Sequence, residues 1–285
     1  MYCSVAGCYE VADRLVYKGA DVDLKSNAGF TALHMASRNG HDDIVRLLLK
    51  NGADPNSHTN DSSSALYMAS MKGHVKVMEL LIAKGADIDY RSQGEYTPLF
   101  IAAQNGMTYA VKLLVEKGAS IDLPSGRGAT PLFIASSGGF SDIAKILLDH
   151  GAGIEAHTGR GATPLFVASQ NGKKEIVKLL LEKGADINMQ TRDGITPLSV
   201  ATLKGHPEIV DMLLEKNADI NHQSEKGVTA LMIASANGHE VIVRILLARG
   251  ADPQLRNSNG KSAADVAATD TIRLLITKRM LPVIP

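Results

Sequence analysis

Histidine is the residue type of this chain that most suggests a chemical role, because four of its nine histidines recur in one pattern. His41, His74, His206 and His239 occupy the same position in that pattern, each directly after an Asn-Gly or Lys-Gly pair. Imidazoles in such a row could indicate a metal site. Stacked helical units, however, lie about 10 Å apart, whereas metal–ligand bonds are about 2 Å long. We therefore expect these histidines to be structural.

Other catalytic or phosphate-binding chemistry is not indicated. The chain has no Walker A motif, no HExxH and no GxSxG in a strand–turn–helix setting. The GRGAT segments at 126–130 and 159–163 lead into helix N-termini, which favour anions, but their recurrence favours structural turns. Cys3 and Cys8 form no CxxC pair, which excludes a zinc ribbon and a disulfide framework. We expect no enzyme activity, no metal and no cofactor.

The composition is that of an ordinary folded protein. Thirty basic and thirty acidic residues give a formal net charge of zero, which argues against a general nucleic-acid binder. No apolar run approaches the roughly 20 residues of a membrane-spanning helix, and no secretory signal is visible at the start. The sequence therefore predicts a cytoplasmic or nucleocytoplasmic protein that binds neither nucleic acid nor membrane.

The elements that must position these residues follow from an internal repeat of 33 residues. A Thr or Ser heads an apolar segment eight times, and a GAD-like turn and an Asn-Gly-like pair recur in fixed phase with it. Three markers that keep one phase over most of the chain indicate a stacked repeat array. The heading residues are Thr31, Ser64, Thr97, Thr130, Thr163, Thr196, Thr229 and Ser262.

The chemistry of one period predicts two short helices. Thr163 is a good N-cap and Pro164 suits the first helical position. Gly172 can end the first helix in a left-handed conformation. Ile176, Leu179 and Leu180 then form the apolar stripe of a second helix. Two such helices cannot bury their apolar faces alone, so neighbouring units must stack.

The segments TALHMA, TPLFIA, TPLFVA and TPLSVA, followed by NG or NGH and LLLEKGAD, resemble the ankyrin repeat. The resemblance implies an all-α repeat solenoid of stacked helix-turn-helix units with β-hairpin-like loops. It also implies a concave face, formed by the hairpin tips and first helices, that binds a protein. The family's histidine after the Pro-Leu pair, which ties neighbouring repeats, is matched by His34 alone. We expect Phe100, Phe133 and Phe166 to replace it with stacked apolar contacts.

The period divides the chain into a partial repeat at 1–26, seven full repeats at 27–257, a shortened C-terminal capping repeat at 258–279 and an apolar tail at 280–285. The partial first repeat is either a fragment of a longer array or a short natural cap. The capping repeat is expected to keep both helices. The tail either folds against the cap or serves as a docking motif.

The hairpins of the second and third full repeats lack the glycine that other repeats have two residues before the cap. Ser62 and Glu95 stand there instead. If the position requires a positive φ, these residues either carry strain or their hairpins adopt another turn. We predict fingertips of different local structure between Asn60 and Thr97.

Partner choice is expected to depend on residues that vary while the frame repeats. Aromatic and Arg side chains are the usual interface anchors, and the middle hairpin tips are net basic, which suggests a partner with an acidic stretch. The predicted partner-binding residues are Phe30, Arg38, Arg91, Tyr96, Gln104, Arg127, Arg160, Gln170, Arg192 and Ile195. The resemblance also implies asparagine hydroxylation at Asn188 and Asn221.

The function predicted on this basis is that of an adaptor or scaffold, monomeric, that binds another protein or an extended peptide. The alternative is the targeting or substrate-recognition part of a larger protein whose effector domain, a kinase, ligase or channel, lies outside this chain.

Overall fold

The computed structural model describes residues 1–280, and every regular element among them is an α-helix. This confirms the predicted all-α repeat architecture, in which the loops are hairpin-like and only an isolated bridge joins His58 to Ser64. The first helices of successive repeats are α1 (Tyr2–Ala6), α3 (Ala32–Asn39), α5 (Ala65–Lys72), α7 (Pro98–Gln104), α9 (Pro131–Gly138), α11 (Pro164–Gln170), α13 (Pro197–Lys204) and α15 (Ala230–Ala236). The second helices are α2 (Tyr9–Tyr17), α4 (Asp42–Lys50), α6 (Val75–Ala83), α8 (Thr108–Glu116), α10 (Ser141–Asp149), α12 (Lys174–Glu182), α14 (Pro207–Glu215), α16 (Glu240–Ala248) and α17 (Asp270–Met280).

The first helices begin at the predicted caps. The hydroxyl of Thr163 accepts a hydrogen bond from the backbone N–H of Phe166 at 3.2 Å, and Pro164 occupies the first turn. Such a cap satisfies one of the four N–H groups that a helix leaves without an internal partner. Gly40, which follows α3, has a left-handed backbone with φ of 77°. The period therefore determines both ends of each short helix.

The core consists of the apolar stripes that the sequence predicts. Leu165 and Ala168 of α11 and Ile176 and Leu180 of α12 are fully buried, while Leu179 is half-buried. Small and branched apolar side chains of this kind allow neighbouring helices to pack closely.

The chain forms two compact units, one of residues Met1–Ala135 with Asp142–Gly153 and the other of Ser136–Ser141 with the residues from Ile154 onward. In the first unit α3 packs on α5, α5 on α7, and α4 on α6. In the second unit α11 packs on α13, α13 on α15, and α12 on α14. Each unit is thus a stack of helix pairs. The predicted boundaries near residues 26, 257 and 279 stay predictions, and residues 281–285 of the tail lie outside the described part.

The four recurring histidines join consecutive repeats. In the first unit the Nε2 atoms of His41 and His74 lie 3.1 Å from the carbonyl oxygens of Val5 and Arg38. In the second unit His206 contacts the carbonyl oxygen of Gln170 in the same way at 3.1 Å. Each ring also packs against the glycine that ends the preceding first helix, where a Cβ would lie within about 3 Å of it. This confirms that the histidines are structural.

The two hairpins without the usual glycine differ from each other. Ser62 and Glu95 have φ of 58° and 62°, so both adopt the left-handed conformation that other repeats assign to glycine. The N–H of Ser62 donates to the carbonyl of Thr59 at 2.9 Å, as in the glycine-containing turns, so the predicted difference is wrong in this repeat. In the next repeat it is confirmed, because Gly94 has φ of 90°, the value of the third residue of a type II turn.

The C-terminal capping repeat does not keep both helices, contrary to the prediction. Residues 263–266 form turns, and α17 is the helix that remains. The hydroxyl of Thr269 caps α17 by accepting from the N–H of Ile272 at 3.2 Å. Only seven residues separate Ser262 from Thr269, whereas ten separate Thr229 from His239, so the two-turn first helix does not fit.

Two glycines with positive φ allow a matched test of whether the close contact between neighbouring hairpins stabilises the stacked repeats. A Cβ on Gly29 would lie 2.7 Å from the backbone nitrogen of Asn60, which donates to the carbonyl of Ala28 at 3.2 Å. A Cβ on Gly52 would meet nothing within 4 Å. Both Gly→Ala changes carry the left-handed penalty of about 1–2 kcal/mol. We expect Gly29→Ala to lower the free energy of unfolding by at least about 1 kcal/mol more than Gly52→Ala.

Urea denaturation of the two variants, followed by circular dichroism, measures this difference. Equal losses would show that the close approach of Gly29 to the next hairpin contributes nothing to the stability of the stack.

Candidate protein-binding surface

In the first unit, the predicted partner-binding residues lie on first helices and hairpin tips. Arg38 and Gln104 are exposed near the C-terminal ends of α3 and α7, and Arg127 is exposed at a hairpin tip. Phe30 and Tyr96 are half-buried directly before the caps of α3 and α7. These side chains are available to a partner and are held by short, capped elements.

In the second unit the same pattern recurs. Arg160 and Arg192 are exposed at hairpin tips, while Gln170 at the end of α11 and Ile195 before the cap of α13 are half-buried. The N–H of Arg192 donates to the carbonyl of Arg160 at 3.0 Å, so the two tips are joined through their backbones. The backbone positions that carry these two arginines are therefore fixed relative to each other.

Arg91 differs from the other predicted arginines because its charge is engaged within the protein. Its guanidinium donates to Glu95 Oε2 at 2.8 Å and to the carbonyl of Pro124 at 3.0 Å. Arg91 therefore links its hairpin to the next one. By contrast, Arg38, Arg127, Arg160 and Arg192 form no ion pair with any part of the chain that the structure describes.

Tyr96 is an aromatic side chain held in place before binding. Its ring stacks on Phe100, with centroids 4.9 Å apart and planes at 27°, and covers Gly94. The ring of Phe100 thus pairs with Tyr96, four residues earlier. The expected apolar contacts along Phe100, Phe133 and Phe166 stay a prediction. A rigid aromatic group loses little entropy when it becomes an interface anchor.

Phe30 and Arg38 border an open groove on the first-helix side of the first unit. The groove has a volume of about 490 Å³ and a mostly apolar wall. Phe30 lies edge-on to His34, with ring centroids 6.2 Å apart. The residues that line the groove are Met1, Val5, Ser26, Phe30, Met35 and Arg38.

His34 supplies the inter-repeat tie that the resemblance implies. Its Nδ1 contacts the N–H of Thr31 at 3.1 Å, and its Nε2 lies 3.0 Å from the carbonyl oxygen of Ser57 in the hairpin that leads to the next repeat. Burial lowers the pKa of the His34 imidazole, which favours the neutral ring that both contacts use. The hydrogen bonds of His34 thus fix the ring against which Phe30 packs.

A row of side-chain acceptors, not predicted from the sequence, links each repeat to the next. In the second unit, Asn188 Oδ1 accepts from the N–H of Asp219 at 2.9 Å, and Asn221 Oδ1 accepts from the N–H of Asp252 at 2.8 Å. The recurrence of Asp, Asn or Glu every 33 residues in the sequence could have indicated this row of acceptors. The other members are Asp23, Asn56, Asp89, Asp122 and Glu155. The two predicted hydroxylation residues therefore have a structural role.

Residues 1–280 contain no group of three or more His, Cys, Asp or Glu side chains placed to hold a metal ion. None of the helices in this range combines the length and the apolar character needed to span a membrane.

Comparison with known proteins agrees with this geometry. A family model for ankyrin repeats in three copies matches residues 1–92, 89–158 and 153–224, and a second ankyrin model matches residues 213–267. The chain therefore belongs to the ankyrin repeat family. Its fold is similar to the crystal structure of the human ASB11 ankyrin repeat domain, with a TM-score of 0.71 and 29% identity, over 77% of this chain and 99% of that chain. The curated proteins contain no match.

Proposed function

We propose that this chain binds a partner protein or extended peptide on the surface formed by its hairpin tips and first helices. The ankyrin fold is generally a protein–protein interaction module and typically has no enzyme activity. The observation that carries the proposal is a pair of arginines in each unit that forms no ion pair within residues 1–280: Arg38 and Arg127 in the first unit, and Arg160 and Arg192 in the second. The chain acts as a monomeric adaptor in the cytoplasm.

The partner carries an acidic stretch. An unpaired guanidinium at a surface forms strong, often bidentate hydrogen bonds with a carboxylate. Tyr96 and Phe30 add fixed aromatic surface in the first unit, and Phe30 lines the same groove as Arg38. Arg91 is not part of the binding set, because Glu95 and Pro124 already occupy its guanidinium.

Two tyrosines of the first unit allow a matched crosslinking test. Tyr96 is half-buried on the proposed surface, whereas Tyr109 is 80% exposed on α8, among the second helices. Each is replaced in turn by the photo-crosslinking residue p-benzoylphenylalanine, and the adducts formed in a cell lysate are identified by mass spectrometry. We expect a protein adduct at position 96 that position 109 does not form.

The double change Arg38→Ala with Arg127→Ala is expected to reduce that adduct at least about tenfold, since two lost charge contacts of about 1 kcal/mol each weaken binding by about 2 kcal/mol. Replacing Lys76 and Lys145, which are exposed on second helices, is the control and leaves the adduct unchanged. Adducts at position 109 alone, or adducts destroyed by nuclease, would contradict the proposal.

We also propose that Asn188 and Asn221 are hydroxylated. Both are the acceptor residues of their repeats, and Asp89 and Asp122 perform the same role elsewhere. After incubation with an asparaginyl hydroxylase, peptide mass spectrometry should locate one added oxygen atom on Asn188. Because Met189 can also take up oxygen, the variant Asn188→Asp is the control, and an oxygen atom that persists in it would refute the assignment.

A further inference from the structure

The second helix of the first repeat, α2, exposes two apolar side chains at positions that each of the seven full repeats buries. Val11 and Leu15 are 51% and 50% exposed. In the seven full repeats, the residues at multiples of 33 from them are at most 3% exposed. Those equivalent to Val11 are Ile44, Val77, Ala110, Ile143, Ile176, Ile209 and Ile242, and those equivalent to Leu15 are Leu48, Leu81, Leu114, Leu147, Leu180, Leu213 and Leu246.

The covering of the equivalent residues shows what kind of group fits this face. In the first unit α4 lies against α2 and α6 against α4, and in the second unit α14 lies against α12. In each case the second helix of the preceding repeat lies against the helix that carries the buried pair. The face of α2 that carries Val11 and Leu15 therefore has the shape of a helix-packing surface. Within residues 1–280 no helix lies on this face, and its apolar side chains are exposed.

The border of this face is basic. Arg14 occupies a position that is Leu, Ile or Met in all seven equivalent second helices, among them Leu47 and Leu113. Arg14 and Lys18 are exposed and form no ion pair within residues 1–280. The acidic residues Glu10 and Asp13 lie about 100° or more around the helix from Val11, at 100° per residue. Asp13 lines a groove toward α4 instead.

We propose that this end face of the first repeat, Val11 and Leu15 with Arg14 and Lys18, docks an amphipathic helix of a partner protein whose apolar stripe is flanked by acidic residues. The apolar pair supplies the packing that a helix provides in every other repeat. The basic pair selects for acidic flanks and guides association. The face is separate from the hairpin tips, so the proposal does not rest on the function proposed above.

A second copy of this chain fits the face less well. Pairing two such faces would bring Arg14 and Lys18 of one copy close to the same residues of the other. Like charges placed together in an interface disfavour the contact. The charge pattern therefore selects an acidic helix over self-association.

Two synthetic peptides of equal length test the proposal. Both form amphipathic helices with the same leucine stripe, but one has glutamate and the other lysine on its flanks. Binding to the full chain is measured by fluorescence anisotropy. We expect the glutamate peptide to bind at least about tenfold more tightly than the lysine peptide. We also expect the difference to shrink at high salt, because exposed charges are screened.

Three variants assign the binding to this face. Leu15→Asp abolishes binding of the glutamate peptide, while circular dichroism shows that the half-exposed position leaves the fold intact. Arg14→Glu combined with Lys18→Glu reverses the preference, so that the lysine peptide binds more tightly. Tyr109→Asp, which changes an 80% exposed side chain on α8, has no effect.

Each other outcome overturns the proposal. Equal binding of the two peptides shows that the basic border does not select acidic flanks. Absence of binding, or binding that survives Leu15→Asp, shows that the face is not a docking site. Crosslinking at Tyr96 is unaffected by any of these results, so failure here is distinguishable from failure of the hairpin-tip proposal.

Discussion

The structure depends on the burial of short helices by their neighbours. A helix of seven to nine residues is marginal in water by itself, and each repeat has apolar side chains on the faces toward both neighbours. Leu180, for example, is fully buried although α12 has only nine residues. Stability then becomes a sum over adjacent repeats. This explains why caps, histidine ties and side-chain acceptors recur every 33 residues.

The sequence was sufficient to predict the frame because the frame is local and periodic. Thr163, Pro164 and Gly172 determine their helix ends through backbone chemistry that needs no knowledge of distant contacts. The positive φ at Ser62 could be inferred by the same argument from the glycines at equivalent positions. Where the period changed, as in the shortened capping repeat, prediction from the pattern failed and a helix became a turn.

The details of the binding surface could not be predicted in the same way. Whether an arginine is available depends on groups in the next repeat, such as the Pro124 carbonyl that engages Arg91. The role of Asn188 likewise depends on the backbone of Asp219. Tyr96 stacks on Phe100 because the capped start of α7 places the residue before Thr97 beside the first turn of the helix. The proposed partner-binding side chains are therefore positioned by the repeat fold but are not needed to form it.

Two deletions that begin in α12 and end in α14 test most directly whether burial between neighbouring repeats depends on the 33-residue period. Removing residues 178–210 joins Val177 to Asp211 in phase, whereas removing residues 178–208 inserts two extra residues and turns Leu213 by about 200° away from its neighbours. The first chain should keep its helix content per residue and a cooperative urea transition, while the second loses both in the second unit. Equal behaviour of the two chains would contradict the dependence of the fold on the period.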